Sequence, residues 1–454
     1  MTVDTIIEAR WLIPIMPKRV ILENHSLVVV NGSIHDILPT QLAKTKYPDA
    51  KEVVQLPKSV LMPGFVNLHS HAAMNLLRGL GADLPLMDWL TTKIWPAEGK
   101  FMSDAFVHDG SRLAGHEMAL SGVTCTSDQY FFPDATARGL REAGLRCAVS
   151  GLVIGFPSAW AQNDDEYLSK AEALIKRYQD NPFVKPTIAP HAPYTVNDQA
   201  LKRCAEISQA YNVPIHIHVN ETAGEVSDSL ANYQMRPIER LARLGLVNDR
   251  LISVHSVHSN DEDIARLADA GSSVCHCPCS NLKLASGFAP IAKFMKAGVN
   301  IGIGTDGAAS NDKLDLLEET RIAAMLTKAV ANDTTTAQVH DMLEAATLGG
   351  ARALHWDHKI GSLEVGKAAD MIAIDLSQVA CQPILDPAAQ VLYSAGRENV
   401  THTWVAGELI ASRKNSATFI NTLEPNELIN IASRWQNRTE GGYAIGLVAF
   451  RQKI

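Results

Sequence analysis

The middle of the chain alternates short apolar segments with longer amphipathic ones from about residue 63 to residue 306. The apolar segments, rich in β-branched residues, are predicted strands, and spacers such as 165–178 and 261–270 are predicted helices. The strands are expected at 63–71, 122–127, 145–150, 186–191, 213–219, 251–255, 273–277 and 299–306. Eight strands separated by helices are typical of an α/β fold of the (β/α)₈ or TIM-type barrel class.

The two ends of the chain contain short β-rich runs that do not alternate with helices. These runs lie at 5–7, 26–30 and 33–37, and again at 370–374 and 400–410. Asn31-Gly32 between two of them is a strong hairpin signal. We therefore expect both termini to build one small β-sandwich, which divides the chain into residues 1–62, a barrel at 63–363, and residues 364–454. Since a barrel uses about 250 residues, the 454 residues present are enough for both units.

Composition excludes several classes of function. A formal net charge of -8 without a long basic run argues against nucleic acid or an anionic membrane surface as a partner. No run of about eighteen apolar residues predicts a membrane span, and residues 1–20 do not have the pattern of a secretory signal. Seven cysteines do not suggest a disulfide framework. A cytoplasmic location and a homo-oligomer, a dimer, are expected.

A long segment, residues 72–107, separates the first predicted strand from the first regular helix. Loops of this length in a compact domain are usually functional or disordered. Trp89, Ile94, Trp95 and Pro96 make this one too apolar for a disordered linker. It is predicted to be a lid or a pocket wall.

Polar residues stand at the ends of the predicted barrel strands, where barrel enzymes carry their chemistry. His69 and His71 share one face of their strand because they are two residues apart. The other strand ends carry His191, His218, His255 and Asp306. Imidazole nitrogens and a carboxylate are ligands suited to a divalent ion such as zinc. The sequence therefore predicts a metal site at this end of the barrel.

Several motifs extend this pattern over nearly the whole chain. They are PGFVNLHSH at 63–71, HVNET at 218–222, SNLKLASG at 280–287, GTDGAASN at 304–311 and GSLEVGKAAD at 361–370. With them the chain resembles the amidohydrolase superfamily, in its chlorohydrolase/aminohydrolase branch. Through WPAE at 95–98 and PHAPYT at 190–195 it is most similar to the 5'-methylthioadenosine/S-adenosylhomocysteine deaminases.

The resemblance implies one divalent metal ion, zinc, bound by His69, His71, His218 and Asp306. His191 stands where two-metal relatives place a carboxylated lysine, which supports a single ion. By the same analogy Glu221 carries a proton to the substrate ring nitrogen. His255 would hold the attacking water, and Asp306 would accept its proton.

The expected substrate is a small nucleoside. The resemblance assigns His191 and Glu98 to substrate binding, with Glu98 accepting hydrogen bonds from ribose hydroxyls, and Trp95 lies on the same loop. Without the resemblance, Glu98 would be read as a solvated loop acid, since glutamate is mostly exposed.

Other histidines and cysteines are predicted to lie outside the metal site. His216 is expected in the barrel interior below His218, while His258 and His276 do not fit the strand-end pattern. Cys275, Cys277 and Cys279 have no evident fourth ligand and are assigned to the end of strand 7. Two departures from the family bear on the pocket. They are Cys279 before Ser280-Asn281, and the absence of a substrate-binding arginine from segment 151–156.

The metal ligands alone do not fix the reaction. The leading hypothesis is a deaminase of adenosine-type nucleosides. A deaminase of guanine, a pterin or an s-triazine remains an alternative, as does a chlorohydrolase. A barrel without catalytic activity is disfavoured because the ligands and Glu221 and His255 are all retained.

Overall fold

The computed structural model describes residues 2–414, 416–419 and 426–438. Four strands open the chain: β1 (Thr5–Leu12), β2 (Leu22–Val30), β3 (Ser33–Pro39) and β4 (Glu52–Pro63). The β2–β3 turn has Asn31 at φ 50° and Gly32 at φ 74°, as the two-residue hairpin turn inferred from the sequence requires. No helix within the described ranges has the length and apolar character needed to cross a membrane.

Eight parallel strands form the barrel, which confirms the predicted fold class. Their order in the sheet follows the order of the chain, from first to last. They are β5 (Phe65–Ser70), β6 (Val123–Asp128), β7 (Arg146–Val153), β8 (Val184–Pro190), β9 (Ile215–Val219), β10 (Leu251–His255), β11 (Ser273–His276) and β12 (Asn300–Ile303).

The barrel closes between β12 and β5. Asp306 N–H donates to the His69 carbonyl at 3.0 Å, and the Asn67 side chain bonds both Thr305 N–H (3.0 Å) and Thr305 Oγ1 (2.8 Å). Gly304 is required there, because a Cβ atom at this position would lie 2.8 Å from His69 Cβ. This closure brings the residues after β12 against the histidines of β5.

Helices cover the outside of the barrel and flank the terminal sheet. Capping fixes several of their starts; α10 begins with a reciprocal capping box between Asn260 and Asp263. The helices are α1 (Thr40–Lys46), α2 (Leu86–Trp89), α3 (Trp95–Phe101), α4 (Asp104–Leu120), α5 (Pro133–Glu142), α6 (Asp164–Tyr178), α7 (Asp198–Tyr211), α8 (Ala223–Tyr233), α9 (Pro237–Arg243), α10 (Asp261–Asp269), α11 (Pro278–Lys283), α12 (Ile291–Lys296), α13 (Ala308–Asn311), α14 (Leu316–Ala331), α15 (Val339–Glu344), α16 (Gly350–Ala353) and α17 (Pro387–Tyr393).

The segment after β5 is helical rather than an irregular loop. A π-helical turn, Leu90–Ile94, joins α2 to α3, so residues 86–101 form one continuous helical segment. We call this segment the lid helix.

The last strands return to the first four, as the sequence predicts. They are β13 (Met371–Asp375), β14 (Val400–Val405), β15 (Glu408–Lys414) and β16 (Ser416–Phe419). Together the two ends form one mixed sheet in the order β16-β15-β14-β13-β4-β1-β2-β3. The run at 400–410 is two strands with a turn at Ala406-Gly407, both at positive φ. The domain limits 1–62, 63–363 and 364–454 stay a prediction, and the third range lies partly outside the described residues.

A buried ion pair joins the terminal sheet to the barrel. Arg146, at the start of β7, donates from Nε to Asp370 Oδ2 at 2.6 Å and from a terminal nitrogen to Oδ1 at 3.1 Å. Asp370 also accepts from Ala406 N–H at 2.8 Å. Both side chains are 2% exposed. Removing one partner of such a pair leaves a buried charge without a counterion, which typically lowers the free energy of unfolding by about 3–5 kcal/mol.

Asp370→Asn is therefore expected to lower the free energy of unfolding by about 3–5 kcal/mol, measured by urea denaturation. Asp261→Asn is the matched control, because its ion pair with Lys293 is exposed on both sides (62% and 76%) and should contribute less than about 1 kcal/mol. Equal losses for the two variants would contradict the role given to Asp370.

Candidate metal centre and substrate pocket

Four histidines and one aspartate converge at the carboxyl end of the barrel strands. His69 Nε2 lies 3.2 Å from His218 Nε2 and 3.4 Å from Asp306 Oδ1, which is also 3.3 Å from His71 Nε2. Two overlapping sets of ligand atoms result: one from His69, His71 and Asp306, the other from His69, His218 and His255. The sequence-predicted metal residues are therefore brought together.

Main-chain carbonyls orient two of these imidazoles. His71 Nδ1 donates to the Gln129 carbonyl at 2.6 Å, and His218 Nδ1 donates to the His191 carbonyl at 2.8 Å. A carbonyl can only accept, so each Nδ1 carries the proton and each Nε2 presents a lone pair. This is the usual way in which protein contacts fix the tautomer of a metal-binding histidine.

Side chains orient the other two imidazoles, those of His69 and His255. His255 Nδ1 lies 2.8 Å from Asn281 Oδ1, and His69 Nδ1 lies 2.9 Å from His216 Nε2. His216 is in turn 3.2 Å from Ser127 Oγ through its other nitrogen. His216 thus positions His69 from below, in agreement with its predicted place in the barrel interior.

The donor set fits a divalent metal ion. Burial lowers the pKa of His69 to about 4, and burial with the neighbouring histidines lowers the pKa of His218 well below its usual value. Neutral imidazoles that direct lone pairs at one point repel each other unless a cation lies between them. Nitrogen donors with one carboxylate are the set that zinc prefers.

Asp306 is held at the edge of this cluster by its own loop. It adopts φ 60°, and its carboxylate accepts from Ser280 Oγ at 2.6 Å and from Gly307 N–H at 2.8 Å. Burial alone would raise the pKa of Asp306, but the hydrogen bond with His69 and the adjacent histidines hold it well below the ordinary value. The carboxylate is therefore ionised and directs Oδ1 at the histidines.

Glu221 lies beside the cluster rather than within it. Its Oε2 is 3.9 Å from His255 Nε2. The turn that presents it, with Asn220 at φ 54°, is held by the carboxylate of Glu225, which accepts from Asn220 N–H (2.9 Å) and Glu221 N–H (2.8 Å). Burial raises the pKa of Glu221. A buried carboxyl with a raised pKa keeps its proton to a higher pH than an exposed one, and next to a metal site such a group can pass a proton to a bound substrate.

The predicted substrate residues line one pocket above the metal donors. The pocket encloses about 750 Å³, counting the space at its open mouth. Glu98, on the lid helix, accepts from the Tyr130 hydroxyl at 2.7 Å, and burial raises the pKa of Glu98 to about 7. His191 is half-buried and bonds Thr195 through Nδ1 at 2.9 Å. Trp95 packs edge-on against Phe156 with ring centres 5.8 Å apart.

The histidines and cysteines predicted to lie outside the metal site do so. His258 bonds the Ser286 carbonyl at 2.7 Å, and His276 is fully buried beside the site without joining the metal-donor sets. Cys275 Sγ lies 3.9 Å from Cys277 Sγ, and both are buried. The Cys279 N–H donates to Glu319 at 3.1 Å.

Sequence reasoning gave no role to several residues that support the site. Asn281, Gln129, Tyr130 and Glu225 orient a ligand or a pocket residue, as described above. Gln129 and Tyr130 directly follow β6, so their position after a barrel strand was a usable signal. Glu225 gave no comparable signal, because its function depends on which backbone groups it reaches.

Comparison with known proteins identifies the family. The model of the Amidohydrolase family matches residues 60–410.

The chain belongs to the amidohydrolase family.

Its relatives in this family extend over the same length. A 5-methylthioadenosine/S-adenosylhomocysteine deaminase of Saccharophagus degradans is 41% identical over 98% of this chain and 98% of the relative. One from Teredinibacter turnerae is 40% identical over 96% and 98%. Among solved structures, a zinc-bound adenosine deaminase of Xanthomonas campestris is 46% identical with a TM-score of 0.94, covering 96% of this chain and 98% of that chain. The predicted family is confirmed.

The purified amidohydrolase is expected to hold about one divalent metal ion per chain, and His218→Ala should release most of it because a ligand is lost. Metal content by plasma mass spectrometry, together with activity, checks this. His25→Ala is the control, since the His25 side chain bonds the Glu23 carbonyl in the terminal sheet and belongs to neither set of metal donors. Two tightly held ions in the active wild type would contradict a single-metal site.

Proposed function

We propose that this amidohydrolase is a metal-dependent deaminase of adenosine-type nucleosides, including 5'-methylthioadenosine and S-adenosylhomocysteine. Water replaces the amino group of the adenine ring, and the products are the inosine analogue and ammonia. The observation that carries the proposal is the layout of the pocket. The metal donors, Glu221 and the lid-helix carboxyl of Glu98 all line the same cavity.

The relatives support this assignment. The two named above are 5-methylthioadenosine/S-adenosylhomocysteine deaminases, and the zinc-bound structural neighbour is an adenosine deaminase. In this chain the metal would be held by His69, His71, His218 and Asp306. When bound, zinc supplies a water molecule acidic enough to act as a nucleophile near neutral pH.

The other residues would act on the substrate and the water. Glu221 donates its proton to the ring nitrogen, which makes the adjacent ring carbon electrophilic. His255 holds the attacking water through Nε2, and Asp306 accepts its proton. His191 contacts the purine and Glu98 accepts hydrogen bonds from the ribose hydroxyls, while Trp95 is one of the apolar side chains that cover the 5' tail. The Tyr130 hydroxyl bonds only Oε1 of Glu98, so Oε2 is left to accept from the ribose.

Glu221→Gln should keep the metal and the fold while kcat falls by about 10² or more, because an amide cannot supply the proton. The measurements are steady-state kinetics and metal content on the same preparation. Glu166→Gln is a suitable control, since Glu166 is a surface glutamate near a helix start, and its carboxylate accepts from the Gln162 N–H. Loss of metal from Glu221→Gln would make Glu221 a ligand and overturn its assigned role.

The substrate assignment is tested by ammonia release from 5'-methylthioadenosine, adenosine, 2',3'-dideoxyadenosine, adenine, guanine, a pterin and a triazine. A site that bonds hydroxyls rejects analogues without them strongly, so adenine and the dideoxy nucleoside should be poor. Glu98→Ala should remove most of the difference between adenosine and its dideoxy analogue, with metal retained, and Glu98→Gln should preserve part of it. A clear preference for a free ring would instead favour a guanine, pterin or triazine enzyme.

We further propose that the chain acts in the cytoplasm as a homodimer, without nucleic acid or membrane as a partner. The net charge of -8 supports the expectation that neither nucleic acid nor an anionic membrane surface is a partner. Sedimentation equilibrium measures the assembly state directly.

A further inference from the structure

Away from the metal donors the pocket lining is mostly apolar, and Tyr194, which is 41% exposed, adds a hydroxyl at the mouth. Glu98 is the only polar residue that the lid helix contributes to the lining; the others are Leu86, Trp89, Leu90, Ile94 and Trp95. Leu86, Leu90 and Ile94 are four residues apart, so they share one face of the lid helix. Apart from Glu98, the lid helix therefore presents only apolar or aromatic side chains to the pocket.

The opposite wall has the same character. β7 and the residues just after it line the pocket with Leu152, Ile154 and Phe156. The edge-on contact between Trp95 and Phe156 joins this wall to the lid helix. Phe156 is 37% exposed, which places it at the mouth. A 5' substituent that extends from the ribose would thus lie between two apolar walls under an aromatic pair.

The charged residues of the pocket lining also favour an uncharged 5' substituent. None of the described residues that line the pocket is a lysine or an arginine, whereas Glu98, Glu221 and Asp306 all face it. Within segment 151–156 the sequence likewise contains no arginine. A carboxylate on the substrate tail would find no cationic partner there. A carboxylate that gives up hydration there without gaining a partner is disfavoured at least as much as an unpaired polar group, by roughly 5- to 150-fold in kcat/KM.

From these observations we propose that Phe156, with Trp95, selects uncharged 5' substituents, so that the chain prefers alkylthio nucleosides over the aminoacyl nucleoside S-adenosylhomocysteine. The inference rests on the proposed function and ranks the substrates within it. Phe156 is the specificity-determining residue because it stands where the tail leaves the pocket. A cation at this position would reach the tail from a partly exposed site.

The test compares two substrates of equal tail length. 5'-Butylthioadenosine has the same run of sulphur and carbon atoms as S-adenosylhomocysteine but no ammonium or carboxylate. For the metal-loaded wild type, kcat/KM should favour the butylthio nucleoside by about 30-fold or more. Phe156→Arg should reduce this ratio to below about fivefold, because the guanidinium can pair with the tail carboxylate. Phe156→Leu, which keeps the wall apolar, should leave the ratio within about threefold of wild type.

Each result decides between defined alternatives. Similar kcat/KM values for the two nucleosides in the wild type would overturn this inference while leaving the proposed function in place. A ratio that Phe156→Arg and Phe156→Leu change equally would overturn the role of Phe156. No turnover of either nucleoside, with turnover of a ribose-free ring, would overturn the proposed function itself. The wild-type comparison decides the preference even if Phe156→Arg does not fold.

Discussion

Histidine lone pairs directed at one point in a buried space repel each other, and the upper end of this barrel is organised by that constraint. The imidazoles must be unprotonated, held at fixed angles and brought within a few ångströms of an ionised carboxylate. Burial supplies the first condition, since it lowers the pKa of His69 and His218. Hydrogen bonds at each Nδ1 supply the second, and closure of β12 against β5 supplies the third by placing Asp306 beside His69.

The backbone also deviates from regular geometry at these strand ends. His255 and Ser256 have φ values of 69° and 49°, and Asn220 and Asp306 are likewise left-handed. Such conformations cost of order 1–3 kcal/mol each for residues other than glycine, and they persist where surrounding contacts enforce them. Here those contacts are visible: Glu225 secures the turn at Asn220, and Ser280 secures Asp306. At this end of the barrel the left-handed positions thus include two residues that face the metal site, His255 and Asp306, and two that directly adjoin site residues, Asn220 and Ser256.

Much of this arrangement could be predicted from the sequence because it depends on local patterns. The alternation of strands and helices gave the barrel, and a period of two placed His69 and His71 on one face. β4 was missed, since its first half is exposed and Pro57 interrupts it. The pair of Arg146 and Asp370, 224 residues apart, and the contact of Asn281 with His255 were not accessible either. They depend on side-chain directions and on long-range docking, which no short-range pattern encodes.

Orientation of ligands by main-chain carbonyls has an evolutionary consequence. The carbonyls of Gln129 and His191 hold His71 and His218, while both residues also line the pocket. A carbonyl is present whatever the side chain, so mutation at positions 129 and 191 can alter substrate choice without misdirecting an imidazole. Metal affinity and substrate preference can therefore diverge independently within one scaffold. During evolution, substitutions at these two positions can therefore change which heterocycle is accepted while the metal ion stays bound.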